Sequence, residues 1–219
     1  FVYHIGYSIL GAVLEAASGQ SMGQFFKEQI FDPLGMVDSD FYVPAGSLDR
    51  FPTCYMPRDN DGKVELVVQE AVESSEKNVG PKVNFGVGGD NGGVLSTITD
   101  YARFGQMLLN GGELDGARIL GRKSVDLMLA NHTGDMLIPM TGLGFYFGLG
   151  AAVYHGRDGK RQIRSPGTYG WGGAAGTTYF ADPKEELMGL CFTQVTQAGA
   201  MPKNNYQETF QRMVYQSLV

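Results

Sequence analysis

Tyr169-Gly170-Trp171-Gly172-Gly173-Ala174-Ala175-Gly176-Thr177-Thr178-Tyr179-Phe180-Ala181-Asp182-Pro183 is the stretch that decides how this chain is read. It starts as a strand stripped of side chains and continues at once as an apolar strand. Glycine inside a strand gives up packing and conformational entropy, so it marks a bulge or a place where another group approaches the backbone. Three such glycines beside the chain's single tryptophan fit a substrate lying along a strand edge. The residues alone fit equally well a glycine-rich turn in a hydrophobic sheet.

Around that stretch the chain reads as β. From about residue 143, Phe145 to Tyr154 forms one strand that turns at Gly156-Arg157-Asp158-Gly159 and pairs with a short strand at Gln162 to Arg164. Ala174 to Ala181 and Glu186 to Gln194 form a hairpin about Asp182-Pro183, and Tyr206 to Leu218 is a helix with Phe210, Met213, Val214 and Leu218 inward.

Toward the N-terminus the period changes to helical. Ile9, Leu10, Val13, Leu14 and Ala17 define an inward helix face that Ser18-Gly19 stops. Ser21 to Gln24 fits a capping box for a helix carrying Phe25, Phe26 and Ile30, which Pro33 closes. Residues 44–84 read as an irregular surface excursion, mobile near Glu73 to Asn78, with a turn at Asp59 to Gly62 and a short strand from Val64 to Val68. Thr97 or Thr99 caps a helix whose inner face is Tyr101, Phe104, Met107 and Leu108 and which Asn110-Gly111-Gly112 ends; Arg122 to Asn131 is another helix. Helices first and an antiparallel sheet later predict an α+β fold. It divides into a mostly helical lobe at 1–140 and a sheet lobe with a terminal helix at 141–219.

Composition narrows the function. With 219 residues, 43% hydrophobic, the chain can bury a core. A net charge of −6 and the lack of a basic stripe argue against nucleic acid. The longest apolar run, Leu137 to Tyr154, is broken by Pro139 and several glycines, so no membrane span is expected. Cys54 and Cys191 lack metal-ligand spacing and read as buried free thiols. His4, His132 and His155 show no metal or triad pattern either, so no metal and no cofactor are expected. The chain starts at Phe1 within an organised segment and shows no charged-then-apolar leader, which predicts a processed or truncated polypeptide.

Two short motifs fail on context. Gly19-Gln20-Ser21-Met22-Gly23 fits G-x-S-x-G, but a nucleophile elbow needs a strand before the serine, and here a helix precedes it. Ser21 therefore reads as a helix cap. Ser74-Ser75-Glu76-Lys77 fits S-x-x-K, but it lies in a polar run with nothing apolar to desolvate the lysine.

A longer set of ordered matches is specific. Tyr3-His4-Ile5-Gly6-Tyr7-Ser8-Ile9-Leu10-Gly11, then Glu15, Ser18-Gly19, Pro33 to Met36, Gly92 to Thr97, Asp100-Tyr101, Phe104, Leu108 to Gly112 and Trp171-Gly172-Gly173 resemble the serine β-lactamase-like superfamily. The resemblance is to class C β-lactamases, D-alanyl-D-alanine carboxypeptidases and family VIII carboxylesterases. It implies a penicillin-binding-protein-like fold: an antiparallel sheet flanked by helices plus a mostly helical lobe.

The same resemblance implies the chemistry. The nucleophile is the serine of an S-x-x-K helix turn, expected upstream of Tyr3, so this chain alone is predicted to be inactive. Tyr3, its phenolate favoured by the lysine, takes the serine proton and returns it to the leaving group. Trp171, Gly172 and Gly173 line the cleft, and the Ala174 N–H helps form an oxyanion hole. Two departures bear on substrate. Ile5 stands where relatives place an amide-binding asparagine, and Trp171 stands where β-lactam-binding relatives often place a cation.

An aromatic wall of Trp171, with Tyr146 or Tyr169, suits apolar acyl or alcohol groups. The expected activity is therefore that of a carboxylesterase on a small ester or amide. A β-lactamase or D-aminoacyl peptidase is the alternative, and a non-catalytic binding or scaffold module of the same fold is the second. An N-terminal segment, or a partner chain, is expected to complete the fold.

Overall fold

The computed structural model describes residues 5–61, 63–70, 93–156, 162–197 and 206–218. They fall into two compact units. One holds the residues up to Arg103 together with Gln194 to Gln197; the other holds Phe104–Thr193 and the C-terminal helix. The architecture is α+β, with antiparallel sheets.

The first unit opens with α1, Ile5–Ser18, and the Gly19 N–H closes its last turn on the Glu15 carbonyl at 2.9 Å. α2, Met22–Phe26, starts at Ser21, whose hydroxyl accepts from the Gln24 N–H at 3.2 Å. That bond is the cap expected of Ser21 and accounts for the serine without any nucleophilic role. Pro33 does not end the helical path. A π-helical turn at Lys27–Phe31 leads into α3, Asp32–Leu34, where Pro33 sits in the first turn and needs no N–H partner. Gly35, at φ 64°, terminates the path instead. Phe31, Leu34, Met36 and Val43 form this unit's core.

Two expectations for this unit change. Ile9, Leu10 and Val13 of α1 are more than half exposed, while Gly11 is buried. The helix thus buries Gly11 and turns Ile9, Leu10 and Val13 of its apolar stripe outward. The supposed surface excursion contains a regular hairpin: β1, Cys54–Asn60, pairs antiparallel with β2, Lys63–Glu70, about Asp61 at φ 51°. Glu73 to Asn78, and with it the Ser74-to-Lys77 motif, lies outside the described residues. In the register, Val64, Leu66 and Val68 oppose Asp59, Pro57 and Tyr55, and all three are exposed.

The unit is pinned by α4, Ile98–Leu109, which Thr97 caps through its hydroxyl and the Asp100 N–H at 3.1 Å. The buried Asp100 carboxylate accepts from the Asp38 N–H at 2.7 Å and the Ser39 hydroxyl at 2.8 Å. Ser39 also meets Ser96 at 2.7 Å, and Asp38 takes both guanidinium arms of Arg50, at 2.8 and 2.7 Å.

The second unit takes up the chain after Arg103. The end of α4 is closed as expected by Gly111 and Gly112, both at positive φ, with the Gly112 N–H on the Met107 carbonyl at 2.8 Å. A short ladder of β3, Glu113–Leu114, and β4, Ala117–Arg118, leads to α5, Arg122–Met128. Five strands then pair in chain order: β5 Phe145–Phe147, β6 Ala152–Tyr154, β7 Tyr169–Gly172, β8 Thr178–Asp182 and β9 Leu187–Cys191. The expected single strand from Phe145 to Tyr154 is thus a hairpin, bent at Gly148 and at Gly150 with φ 107°. Residues 162–164 form no strand; β6 pairs with β7 instead.

Glycine lets the layers of this unit close. A β-carbon at Gly105 of α4 would lie 2.7 Å from the Tyr179 ring, and one at Gly189 of β9 would enter the Phe180 ring. The last helix, α6, Tyr206–Gln216, packs through Phe210 and Tyr215 on Phe180, with ring centroids 6.3 and 5.7 Å away. Gln211 and Tyr215 are its buried residues, whereas Met213 and Leu218, expected inward, are exposed.

Tyr215 belongs to a polar node about the fully buried Asp182. One carboxylate oxygen accepts from the Tyr215 hydroxyl at 2.6 Å, the Thr168 hydroxyl at 3.0 Å and the Ser165 N–H at 3.0 Å. The other faces the N–H groups of Lys184 at 3.1 Å and Glu185 at 3.3 Å. Burial pushes this carboxyl up, but the bonds from Tyr215, Ser165 and Thr168 outweigh burial and hold it below its ordinary value. Burial and the bond to Asp182 push the Tyr215 phenol well up.

Candidate active site

The glycine strand is β7, and the first group to approach its backbone is the protein itself. A β-carbon at Gly170 would fall inside the contact shell of the Tyr179 carbonyl, and one at Gly173 would strike the Thr177 hydroxyl. Gly172 has more room, with the Thr177 carbonyl 3.2 Å from its β-carbon position. β7 and β8 therefore lie closer at Gly170 than side chains would allow.

Beyond Gly172 the chain makes a braced turn. The Gly173 N–H donates to the Thr177 carbonyl at 2.8 Å and the Gly176 N–H to the Gly173 carbonyl at 3.0 Å. The Thr193 hydroxyl holds the Ala175 carbonyl at 2.9 Å, the Tyr206 hydroxyl holds that of Gly176, and the Gln207 amide reaches that of Thr177 at 3.3 Å. The carbonyls of Gly173, Ala175, Gly176 and Thr177 are thus engaged. Ala174 is exposed, and its N–H makes no hydrogen bond among the described residues. The N–H groups of Ala175 and Thr177 likewise make no hydrogen bond among the described residues, and a braced turn with unengaged N–H groups can stabilise negative charge with little reorganisation. Thr193, Tyr206 and Gln207 escaped sequence reading because they come from β9's end and α6, well away in the chain.

Around β7 the aromatic residues take distinct places. Trp171 is half-buried, and its ring meets Phe147 edge to face with centroids 5.0 Å apart. Tyr146 stacks on His155, with centroids 6.0 Å apart, and donates its hydroxyl to the Leu129 carbonyl at 3.1 Å; burial pushes its phenol up. Tyr169 lies in the core edge-on to Tyr179, and burial pushes its phenol up as well, against a smaller opposing pull from Tyr179. The Tyr169 oxygen has no hydrogen bond of ordinary geometry among the described residues. Register places Tyr146, Val153 and Tyr169 in one row across β5, β6 and β7.

Tyr3 lies outside the described residues, and so does the side chain of Ile5, the residue that opens α1. His132 and His155 are tied into local structure: His132 meets the Leu127 carbonyl at 2.7 Å, and His155 carries the stack on Tyr146. Among the described residues no group of His, Cys, Asp or Glu could hold a metal ion. No helix among them is long and apolar enough to cross a membrane.

The model of the beta-lactamase family matches residues 3–211. This chain belongs to the beta-lactamase family. Among similar proteins, Protein Rv1367c of Mycobacterium tuberculosis is 32% identical over 201 residues, covering 88% of this chain and 48% of that protein. The lovastatin esterase of Penicillium rubens is 27% identical over 207 residues, covering 87% of this chain and 49% of that one. The solved structure of EstCE1, described as a hydrolase with promiscuous acyltransferase activity, superposes with a TM-score of 0.73 at 22% identity, over 94% of this chain and 54% of that one. This beta-lactamase-family chain therefore spans about half the length of the curated relatives it matches.

Proposed function

We propose that the whole protein is a serine carboxylesterase and that this chain supplies the oxyanion donor, the specificity wall and the proton-transfer tyrosine. The observation that carries the reading is the braced turn after β7, which sets an exposed Ala174, its N–H unengaged among the described residues, three residues beyond Trp171. A serine from elsewhere in the protein attacks the ester carbonyl while Tyr3 takes its proton. The carbonyl oxygen becomes an oxyanion facing the Ala174 N–H. Collapse expels the alcohol, which leaves with the proton from Tyr3, and water then releases the acid from the acyl-serine.

An ester fits better than a β-lactam or a peptide carboxylate because Trp171 offers a flat apolar surface and no positive charge to pair with an anion. The esterase named among the relatives supports the same choice.

The test uses the full-length protein with p-nitrophenyl esters and nitrocefin. Esters should turn over much faster than nitrocefin, and Tyr3→Phe should lower kcat by roughly 10²-fold or more. Faster nitrocefin turnover would make the protein a β-lactamase. Unchanged ester turnover in Tyr3→Phe would remove Tyr3 from the mechanism, and no turnover of either substrate would leave a binding module.

A further inference from the structure

Trp171 stands on β7 between Gly170 and Gly172, with Tyr179 of β8 as its register partner. A half-buried indole in that position needs a stop. Phe147 provides one: it is buried, and its ring meets the indole edge to face at 5.0 Å between centroids. Such a contact sets the positive edge of one ring against the negative face of the other, so it fixes the angle as well as the distance.

Phe147 is itself held on several sides. Among the described residues β5 is an edge strand, and its outward peptide groups face no further strand. The loop after α5 takes that place. The Thr133 hydroxyl accepts from the Phe147 N–H at 3.0 Å, and the His132 N–H donates to the Phe147 carbonyl at 3.1 Å. Asn131 shapes the loop by accepting from the Thr133 N–H at 3.0 Å and donating to the Gly134 carbonyl at 3.0 Å. The next residue, Gly148, lies so near the end of α5 that a β-carbon would collide with the Met128 carbonyl; the Leu149 N–H donates to that same oxygen at 2.8 Å. Displacing Phe147 requires moving either the loop or the helix end.

We propose that Phe147 is a positioning residue that sets the pose of Trp171 and, through it, the length of acyl chain accepted beside Ala174. The proposal rests on the reading of Trp171 as the acyl wall. It needs no contact between Phe147 and substrate.

The full-length protein is labelled with 5-fluorotryptophan, and the Trp171 resonance is assigned by its loss in Trp171→Phe. In Phe147→Leu that resonance should shift and broaden. The kcat/KM ratio for p-nitrophenyl octanoate over acetate should change on the order of tenfold, the low end of what one methylene is worth in an apolar pocket. Phe147→Tyr keeps the ring and should restore both readouts. Thr133→Val removes the bond to the Phe147 N–H but spares the ring. It should move both readouts in the same direction by less, and it decides the matter if Phe147→Leu does not fold.

An unmoved resonance, or a moved resonance with an unmoved ratio, in a folded variant overturns the proposal. If Trp171→Ala leaves the ratio unchanged, the wall reading fails and this proposal with it. If Trp171→Ala changes the ratio and Phe147→Leu does not, the wall stands and only the role of Phe147 is lost. Should the wild type hydrolyse no ester, the esterase reading falls, and an unmoved resonance in Phe147→Leu would still overturn the claim that Phe147 poses Trp171.

Discussion

Among the described residues each unit of this protein buries one aspartate, and the two are held by different physics. Asp100 sits in the first turn of α4, where the helix N-terminus favours negative charge, and it needs only the Asp38 N–H and the Ser39 hydroxyl besides. Asp182 ends a strand and has no helix end to lean on. It is surrounded instead by five donors from the segments before β7, after β8 and on α6. A buried carboxylate is therefore stabilised either by a field plus a few bonds or by bonds alone. In the second case the buried donors matter most: the Ser165 N–H and the Tyr215 hydroxyl lose their best acceptor when the carboxylate goes, whereas the N–H groups of Lys184 and Glu185 lie on exposed residues.

The comparison is most exposed to Asp182→Ala. Removing the carboxylate strands the buried Ser165 N–H and leaves the Tyr215 hydroxyl only the long contact to Thr168 at 3.3 Å, and stability should fall by about 3 kcal/mol. Urea unfolding followed by circular dichroism checks it. Asp100→Ala should cost less, about 2 kcal/mol, since the Ser39 hydroxyl keeps Ser96 as a partner and the Thr97 cap survives. Hydrogen exchange should then rise in the first turn of α4 and around Asp38. A larger loss for Asp100→Ala than for Asp182→Ala would reverse the ranking.

The smallest effect sharpens the contrast. Tyr215→Phe removes one of five donors and should cost about 1 kcal/mol at neutral pH. Because the folded carboxyl of Asp182 lies below its unfolded value of about 3.9, its contribution is complete above that pH and is lost as pH falls through the folded value. Without Tyr215 the folded value rises toward the unfolded one. The stability of Tyr215→Phe should therefore fall less steeply with acidification than that of the wild type. An equal slope would mean that Tyr215 does not hold the carboxyl down.

What the sequence revealed follows the range of the interactions involved. Ser21 and Gly111-Gly112 act within one helical turn of their own positions and are readable in the sequence, which also narrows the cap of α4 to Thr97 or Thr99. Pro33 misled because a proline in a first turn looks, in sequence, like a proline after a last one, and the π turn before it leaves no composition signal. The hairpin at 145–154 looks in sequence like one strand because its bend is made by two glycines inside an apolar run. On α1 the periodicity was real, but it identifies a stripe without saying which side of the helix is covered.

For the candidate site, the glycine strand and Trp171 were legible. The brace of the turn and the Phe147–Trp171 contact were not, since both join residues distant in the chain. Most of the glycines that suggested room for a substrate serve the protein's own packing, which only register could distinguish.

Gly105 beneath Tyr179 and Gly189 beneath Phe180 also bear on how this fold can change over time. Each is a socket whose plug is a ring on β8, so neither partner is free to vary alone: a β-carbon at either glycine evicts a ring, and a smaller residue at either ring leaves a hollow. Tyr179 and Phe180 are also adjacent and point to opposite faces, so the two sockets share one stretch of backbone. In any lineage of this protein that drifts here, the four positions would have to move as two linked pairs, with the shorter ring arriving before the larger glycine replacement.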